Sequence, residues 1–329
     1  MFGRSRSECA RRYCTRPSEV RRRRRVTTGA SGVVAGYQGW SRVFPESGAQ
    51  QGRQTGCMTD QRFRFGVVAG ERESADALAD RARRLESQGF ATVLFPDTAF
   101  TLSPALGAAV VATASQSLHC GPHVLSVANR TPGLVASETM TLATLTAGRY
   151  ELGLGTGRPG AAAEATTFGM PFGSVGQRIA QLRATITAVR ERVAGTRIMV
   201  AAAGPRMLGV AAQLADTVTF GLPPTAGPDE LGLAVDTLRD AAGSRFEAIE
   251  LAQNLVVVGD DAPPAILRHT GTDLAGLRAV GSVAELHGTP AEMADLLRRR
   301  RDRYGISYVS TSSLFADRLA PVVELLAGT

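Results

Sequence analysis

From Phe63 onward the apolar positions of this chain change period repeatedly. Phe63–Val68 is a short apolar run of strand length, whereas Ala75–Ser87 spaces its apolar residues as a helix does and stops at Gly89. Thr92–Phe95 predicts a second strand closed by Pro96-Asp97, and Pro104–Ala114 a second helix. Leu118–Ser126 and Tyr150–Leu154 read as strands three and four, with the helix Gly133–Leu145 between them. Ser174–Val193 predicts a long helix, followed by a fifth strand at Ile198–Ala202 and a helix at Arg206–Leu214. Thr217–Gly221, Leu251–Val258 and Ser307–Ser310 supply strands six to eight, with helices near Asp229–Ala241, Pro290–Tyr304 and Ala316–Leu326.

Eight strand–helix alternations in roughly 270 residues suit one closed (β/α)8 TIM barrel better than an open doubly wound sheet. The stretch Asp260–Gly288 breaks the repeat and predicts a mobile insertion before the last strand–helix units.

Charge separates the front of the chain from the rest. Residues 1–57 hold twelve arginines and three glutamates, a net of +9, while the whole chain carries +7, so residues 58–329 carry −2. The basic character therefore belongs to the leader, and the body over 58–329, read as one domain, offers no case for nucleic-acid binding. Arg21 to Arg25 suggest a twin-arginine signal or an RNA-binding arm, but no apolar segment follows them. The expectation is a disordered Arg-rich extension, with Met58 as the natural start. The chain has no lysine, which excludes Schiff-base chemistry and the lysine-dependent phosphate loop. Cys120 is alone in the body, which reads as a reduced, cytoplasmic protein without disulfides. No apolar run reaches the roughly 18 residues that a membrane span needs.

Two strand ends carry the candidate chemistry. In Tyr150-Glu151-Leu152-Gly153-Leu154-Gly155-Thr156-Gly157 a strand delivers glycines at alternate positions, which lets backbone approach a flat or phosphorylated ligand. In Ala203-Gly204-Pro205-Arg206-Met207 a strand runs into Gly-Pro at a helix start, so unpaired N–H groups and the positive dipole end point outward. That suits a phosphate, and equally an ordinary turn with proline at the first helical position.

Other positions keep two readings each. Asp97 closes a barrel strand on the face where such barrels do chemistry, or it caps the next turn. Thr98 and Thr156 reach ligand carbonyls or satisfy loop backbone. Arg158 binds an anionic substrate or cofactor tail, or is a solvated loop residue; Arg178 braces a phosphate or pairs with a carboxylate. His119 and His123 sit about 13 Å apart on one strand face, too far for one metal, and no metal site is expected.

Taken in order, these motifs resemble the bacterial luciferase-like monooxygenase superfamily, and within it the branch using coenzyme F420. The resemblance covers about residues 62–329. It is carried by Glu86-Ser87-Gln88-Gly89-Phe90, Phe95-Pro96-Asp97, Asn129-Arg130-Thr131-Pro132, Leu145 through Gly157, Gly204-Pro205-Arg206-Met207 through Asp216, Gly305-Ile306-Ser307-Tyr308 and Ala320-Pro321-Val322-Val323. It implies a cytoplasmic oxidoreductase passing hydride between F420 and a small organic substrate, with a possible homodimer and no membrane partner. His123-Val124-Leu125-Ser126 would bulge behind the ring, with His123–Val124 either cis or trans. Gly155, Thr156 and Gly157 would flank the ring, Ala203 to Met207 with Arg158 and Arg178 would hold the tail, and Asp97 or Thr98 would orient the substrate or its proton. This chain departs from many F420 relatives in having Asp97-Thr98 where they carry Asp-His, and Arg158 where sugar-phosphate dehydrogenases carry glutamate. The alternatives are an FMN-dependent monooxygenase fed by a partner reductase and a cofactor-binding barrel without turnover.

Overall fold

The computed structural model describes residues 62–158 and 160–329; the expectations of a disordered leader and of a start at Met58 lie outside the described residues. The fold grows from strands whose two faces are both covered. In β1 (Arg64–Val68) Phe65 and Val67 join the layer between sheet and helices, while Val68 packs inside the sheet's curve. Ser74 accepts from the Ala77 amide and starts α1 (Ala75–Ser87), which buries Leu78, Ala82 and Leu85. β2 (Thr92–Phe95), α2 (Pro104–Ala114), β3 (His119–Pro122) and β4 (Leu125–Ser126) follow. Thr131 then caps α3 (Pro132–Leu145). β5 (Glu151–Gly155) leads through a short α4 (Ala161–Thr167) to α5 (Val175–Arg192), opened by a capping box of Ser174 and Gln177.

The second half repeats the alternation with β6 (Arg197–Ala202), α6 (Pro205–Leu214), β7 (Thr217–Phe220), α7 (Pro228–Ala242) and β8 (Glu250–Leu255). After β9 (Val257–Val258) come α8 (Pro264–Thr270), α9 (Leu274–Ala279) and β10 (Glu285–Leu286). The chain closes with α10 (Pro290–Tyr304), β11 (Ile306–Ser312) and α11 (Ala316–Leu326).

Nine strands form one all-parallel sheet in the order β3-β2-β1-β11-β8-β7-β6-β5-β4. A parallel bridge from Cys120 to Tyr150 brings the two ends together. β3 and β4 are two pieces of one stave, so the predicted eight-stave barrel is what forms. No helix among the described residues is long and apolar enough to cross a membrane.

The barrel interior is layered. The first residues of six strands, Arg64, His119, Glu151, Arg197, Thr217 and Glu250, make its floor. Arg64 binds Glu151 at 2.7 Å and Glu250 at 2.6 Å, Arg197 and Thr217 also reach Glu250, and His119 lies 3.0 Å from Glu151. Burial alone would raise the Glu151 carboxyl, but the adjacent His119 and the Arg64 guanidinium outweigh it and hold it well below the usual carboxylate range. Above this floor Leu94, Met199, Ala252 and Tyr308 fill the lumen, with Val68 and Val124 packed on them toward the mouth.

The segment expected to be a mobile insertion is built in. The predicted strand Leu251–Val258 divides: β8 stays in the barrel, while β9 pairs in parallel with β10. Val283, Ala284 and Leu286 are buried, the Val283 amide binds the Ala226 carbonyl, and Arg300 of α10 donates to the Val283 carbonyl at 2.8 Å. Apolar residues spaced too irregularly for a helix or strand pattern still find a core here, supplied by α10.

Candidate cofactor and active site

The C-terminal ends of parallel strands gather at one mouth, so the loops after β2, β4, β5 and β6 meet there. Register sets neighbours: Ser126 stands opposite Gly155 and Leu154 opposite Val200. At the end of β3 the His123–Val124 peptide is cis. Val124 turns its methyls onto β5. A Cβ on Gly153 would lie 2.9 Å from one Val124 methyl and 2.3 Å from the Pro122 carbonyl oxygen. One on Gly155 would lie 2.8 Å from the other methyl. These glycines therefore make room for the neighbouring strand, and Val124, Gly155 and Ala201 form a continuous apolar surface. The alternation in the sequence pointed to a close approach, but the group approaching is the chain itself. Gly157, at φ +100°, lies beneath the Phe172 ring.

Asp97 is 7% exposed and fully engaged. Its Oδ2 accepts from the Ser126 amide at 3.0 Å and from Arg130 at 2.7 Å, and its Oδ1 accepts a second Arg130 bond at 2.9 Å. The carboxylate thus joins β2, β4 and the approach to α3. Thr98 accepts from the amides of Phe100 and Thr101 and closes its own turn. Gln181 of α5 holds the same region by donating to the carbonyls of Val127 and Arg130. Against this satisfied framework, the Ser126 hydroxyl and both polar atoms of the Asn129 side chain are buried without a hydrogen-bond partner among the described residues. Such groups cost about 1–3 kcal/mol each unless something pairs them. Burial lowers the His123 imidazole to about 4, which keeps it neutral at physiological pH. Leu125 points the other way, into the layer between sheet and helices.

At the start of α6, Ala203, Gly204, Pro205 and Arg206 are exposed, and Gly204 is the N-cap with no side-chain cap. A Cβ on Gly204 would meet no atom of the described residues within 4 Å. The Met207 amide is spent on the Gly204 carbonyl at 2.9 Å, and Met207 itself packs partly against the core. The Arg206 amide, in the first turn, has no intrahelical acceptor. Arg206 makes no ion pair with any described residue.

The other two candidate arginines serve the β5–α5 loop. Arg178 donates from Nε to the Thr156 carbonyl at 2.6 Å and from Nη1 to the Gly173 carbonyl at 2.8 Å, with its guanidinium 4.0 Å over the Phe172 ring. Arg158 pairs with Glu164 at 2.6 Å. The sequence reading missed Arg130 as the partner of Asp97, although Asn129-Arg130-Thr131-Pro132 stood out as a motif; a buried acid at a strand end was the signal that a cation must lie near it. It also missed Asn254 and Ser310, which join at 3.0 Å near the ends of β8 and β11.

An orphaned hydroxyl and amide, an apolar floor and an open helix start together fit a ligand with a flat body, a polar edge and an anionic tail. The sequence model of the family described as luciferase-like monooxygenase matches residues 53–198. The expected resemblance to that superfamily is borne out there, and the barrel is borne out across the described chain. The fold is shared with the coenzyme F420 dependent tetrahydromethanopterin reductase from Methanopyrus kandleri (TM-score 0.63, 17% identity, covering 80% of this chain and 97% of that one). It is shared with an F420-dependent secondary alcohol dehydrogenase (TM-score 0.64, 14% identity, 79% and 99% covered). It is also shared with the oxygenating constituent of 3,6-diketocamphane monooxygenase from Pseudomonas putida, solved with FMN (TM-score 0.59, 14% identity, 80% and 95% covered).

Proposed function

We propose that this chain, whose residues 53–198 carry the luciferase-like monooxygenase pattern on a TIM-barrel fold, is an F420-dependent oxidoreductase acting on a small organic substrate. The observation that carries the reading is the start of α6, an exposed, uncapped helix terminus with open space at Gly204 on the catalytic face of the barrel. A tail phosphate approaching it gains the Arg206 amide, the positive dipole end and the unpaired Arg206 side chain. Support for a deazaflavin over FMN comes from the order of the motifs; the fold neighbours include proteins named for F420 and proteins solved with FMN or modified FMN.

When bound, the deazaflavin supplies a ring carbon that carries hydride and reacts poorly with oxygen. The chain does the rest. Val124, Gly155 and Ala201 offer the flat apolar floor. Ser126 Oγ and the Asn129 amide hydrogen-bond a polar edge, and His123 does so without adding charge. Asp97, both oxygens spent on Arg130 and the Ser126 amide, acts as a positioning residue, and Thr98 holds the turn beside it. Arg178 and Arg158 keep the loop after β5 in place, so that Thr156 and Gly157 border the site.

One observation favours the rival FMN-dependent monooxygenase: Thr98 stands where many F420 relatives carry histidine. Anaerobic titration of the full chain with F420 and with FMN decides between them. The expected result is F420 bound at least tenfold more tightly, about 1.4 kcal/mol. Equal or reversed dissociation constants would overturn the F420 reading.

A further inference from the structure

A hollow away from the mouth lies on the flank of the barrel, between the inserted segment and the second half of α10. It encloses about 400 Å3, within the range of small-ligand sites. Val283, Leu296 and Tyr304 give it apolar walls, and Arg278, Arg299, Arg300 and Arg303 line it with Glu285 as the lone carboxylate, a net of +3. Of the mouth residues described above, none takes part.

The arginines divide by what they already hold. Arg278 is neutralised by Glu285 at 2.9 Å and Asp260 at 3.0 Å. Arg300 is 6% exposed and, among the described residues, donates only to neutral oxygens: the carbonyls of Val283, Ser282 and Glu285 and the Gln253 amide oxygen. A guanidinium buried among neutral acceptors still lacks a counter-charge, and such a group is normally paired. Burial lowers its pKa to about 10, the direction expected for a cation without an anion beside it. Arg299 and Arg303 are exposed and have no carboxylate partner among the described residues; Arg303 lies 5.0 Å over the Tyr304 ring. The dipole of α10 favours cations in its last turn, which accounts for Arg303 but not for a buried Arg300 one turn earlier.

We infer that this hollow is a second binding site, for a small organic anion with one acidic head group on a compact apolar body. The head group lies between Arg299 and Arg303 and supplies the counter-charge Arg300 lacks, while the body rests on Val283, Leu296 and Tyr304. Guanidinium forks suit carboxylate, sulfonate and phosphate oxygens alike, so the apolar walls select the class of ligand. The inference is independent of the cofactor reading.

The test uses the full chain and two probes: 8-anilinonaphthalene-1-sulfonate, and the neutral N-phenyl-1-naphthylamine, which has the same rings without the sulfonate. Wild type and R299S/R303S are titrated by fluorescence and calorimetry, with thermal melts alongside. Because both arginines are exposed, the variant is expected to melt as wild type does. The sulfonate is expected to occupy on wild type one site more than it occupies on R299S/R303S, with that site at least tenfold weaker in the variant. The neutral probe is expected to bind wild type at least tenfold more weakly than the sulfonate does. Sulfonate binding within twofold in the two proteins, or neutral probe bound as tightly as the sulfonate, would overturn the inference.

Discussion

Gly153 and Gly204 show how little a residue type says before its neighbours are known. Both invite the same reading in the sequence, a place where backbone meets a ligand. In the structure the space beside Gly153 is filled by the Pro122 carbonyl and Val124, while that beside Gly204 is empty. Gly153→Ala is therefore expected to overpack the barrel wall and cost about 1–3 kcal/mol of stability. Gly204→Val, at an ordinary φ of −87°, is expected to cost no more than about 1 kcal/mol, as a poorer N-cap, and to weaken F420 binding about tenfold. Urea denaturation and cofactor titration of the two variants check the pair; a Gly153→Ala protein as stable as wild type would show that the strands can part to admit a Cβ.

At the scale of elements, the staves and the helices behind them were legible because each is long enough to repeat its period and is punctuated by Gly, Pro or a capping Ser/Thr. The insertion was not, since α8, α9 and β10 are each too short to show a period, and the segment around β10 takes its order from β9 and Arg300. The site was legible in the same uneven way. Helix α6 announces itself by Gly-Pro, whereas the tie from Asp97 to Arg130 spans 33 residues and follows from no spacing rule. That tie joins three elements, so Asp97→Asn is expected to lose about 3 kcal/mol of stability, the lower end of the range for a buried pair broken on one side, because Arg130 keeps some contact with water. Arg130→Gln should lose a similar amount, and the double variant less than the sum. Additive losses in a double-mutant cycle would mean that each residue is held by something else.

For the molecule as a whole, the floor of the barrel is a network shared by the first residues of β1, β3, β5, β6, β7 and β8. The Glu151 carboxyl titrates far below its unfolded value of about 4.3. A lowered folded value contributes stability that is complete above the unfolded value and is lost as pH falls through the folded one. Global stability is therefore expected to decline steadily below about pH 5. Glu151→Gln should be less stable at pH 7 by about 3 kcal/mol, from leaving Arg64 short of a partner, and should show a flatter acid limb. Chemical denaturation from pH 7 to pH 3 reads both; parallel acid limbs in variant and wild type would place the acid sensitivity elsewhere.

The interlock of Val124 with Gly153 and Gly155 also bears on how the barrel closes on itself. Side chains along a strand alternate in direction, so a slip of one residue between β4 and β5 would turn Leu152 or Leu154 toward Val124 and the Pro122 carbonyl, where there is no volume for a leucine. A slip of one residue between the two strands is therefore sterically closed. The glycines reject that misalignment at the seam where the first and last strands of the sheet come together.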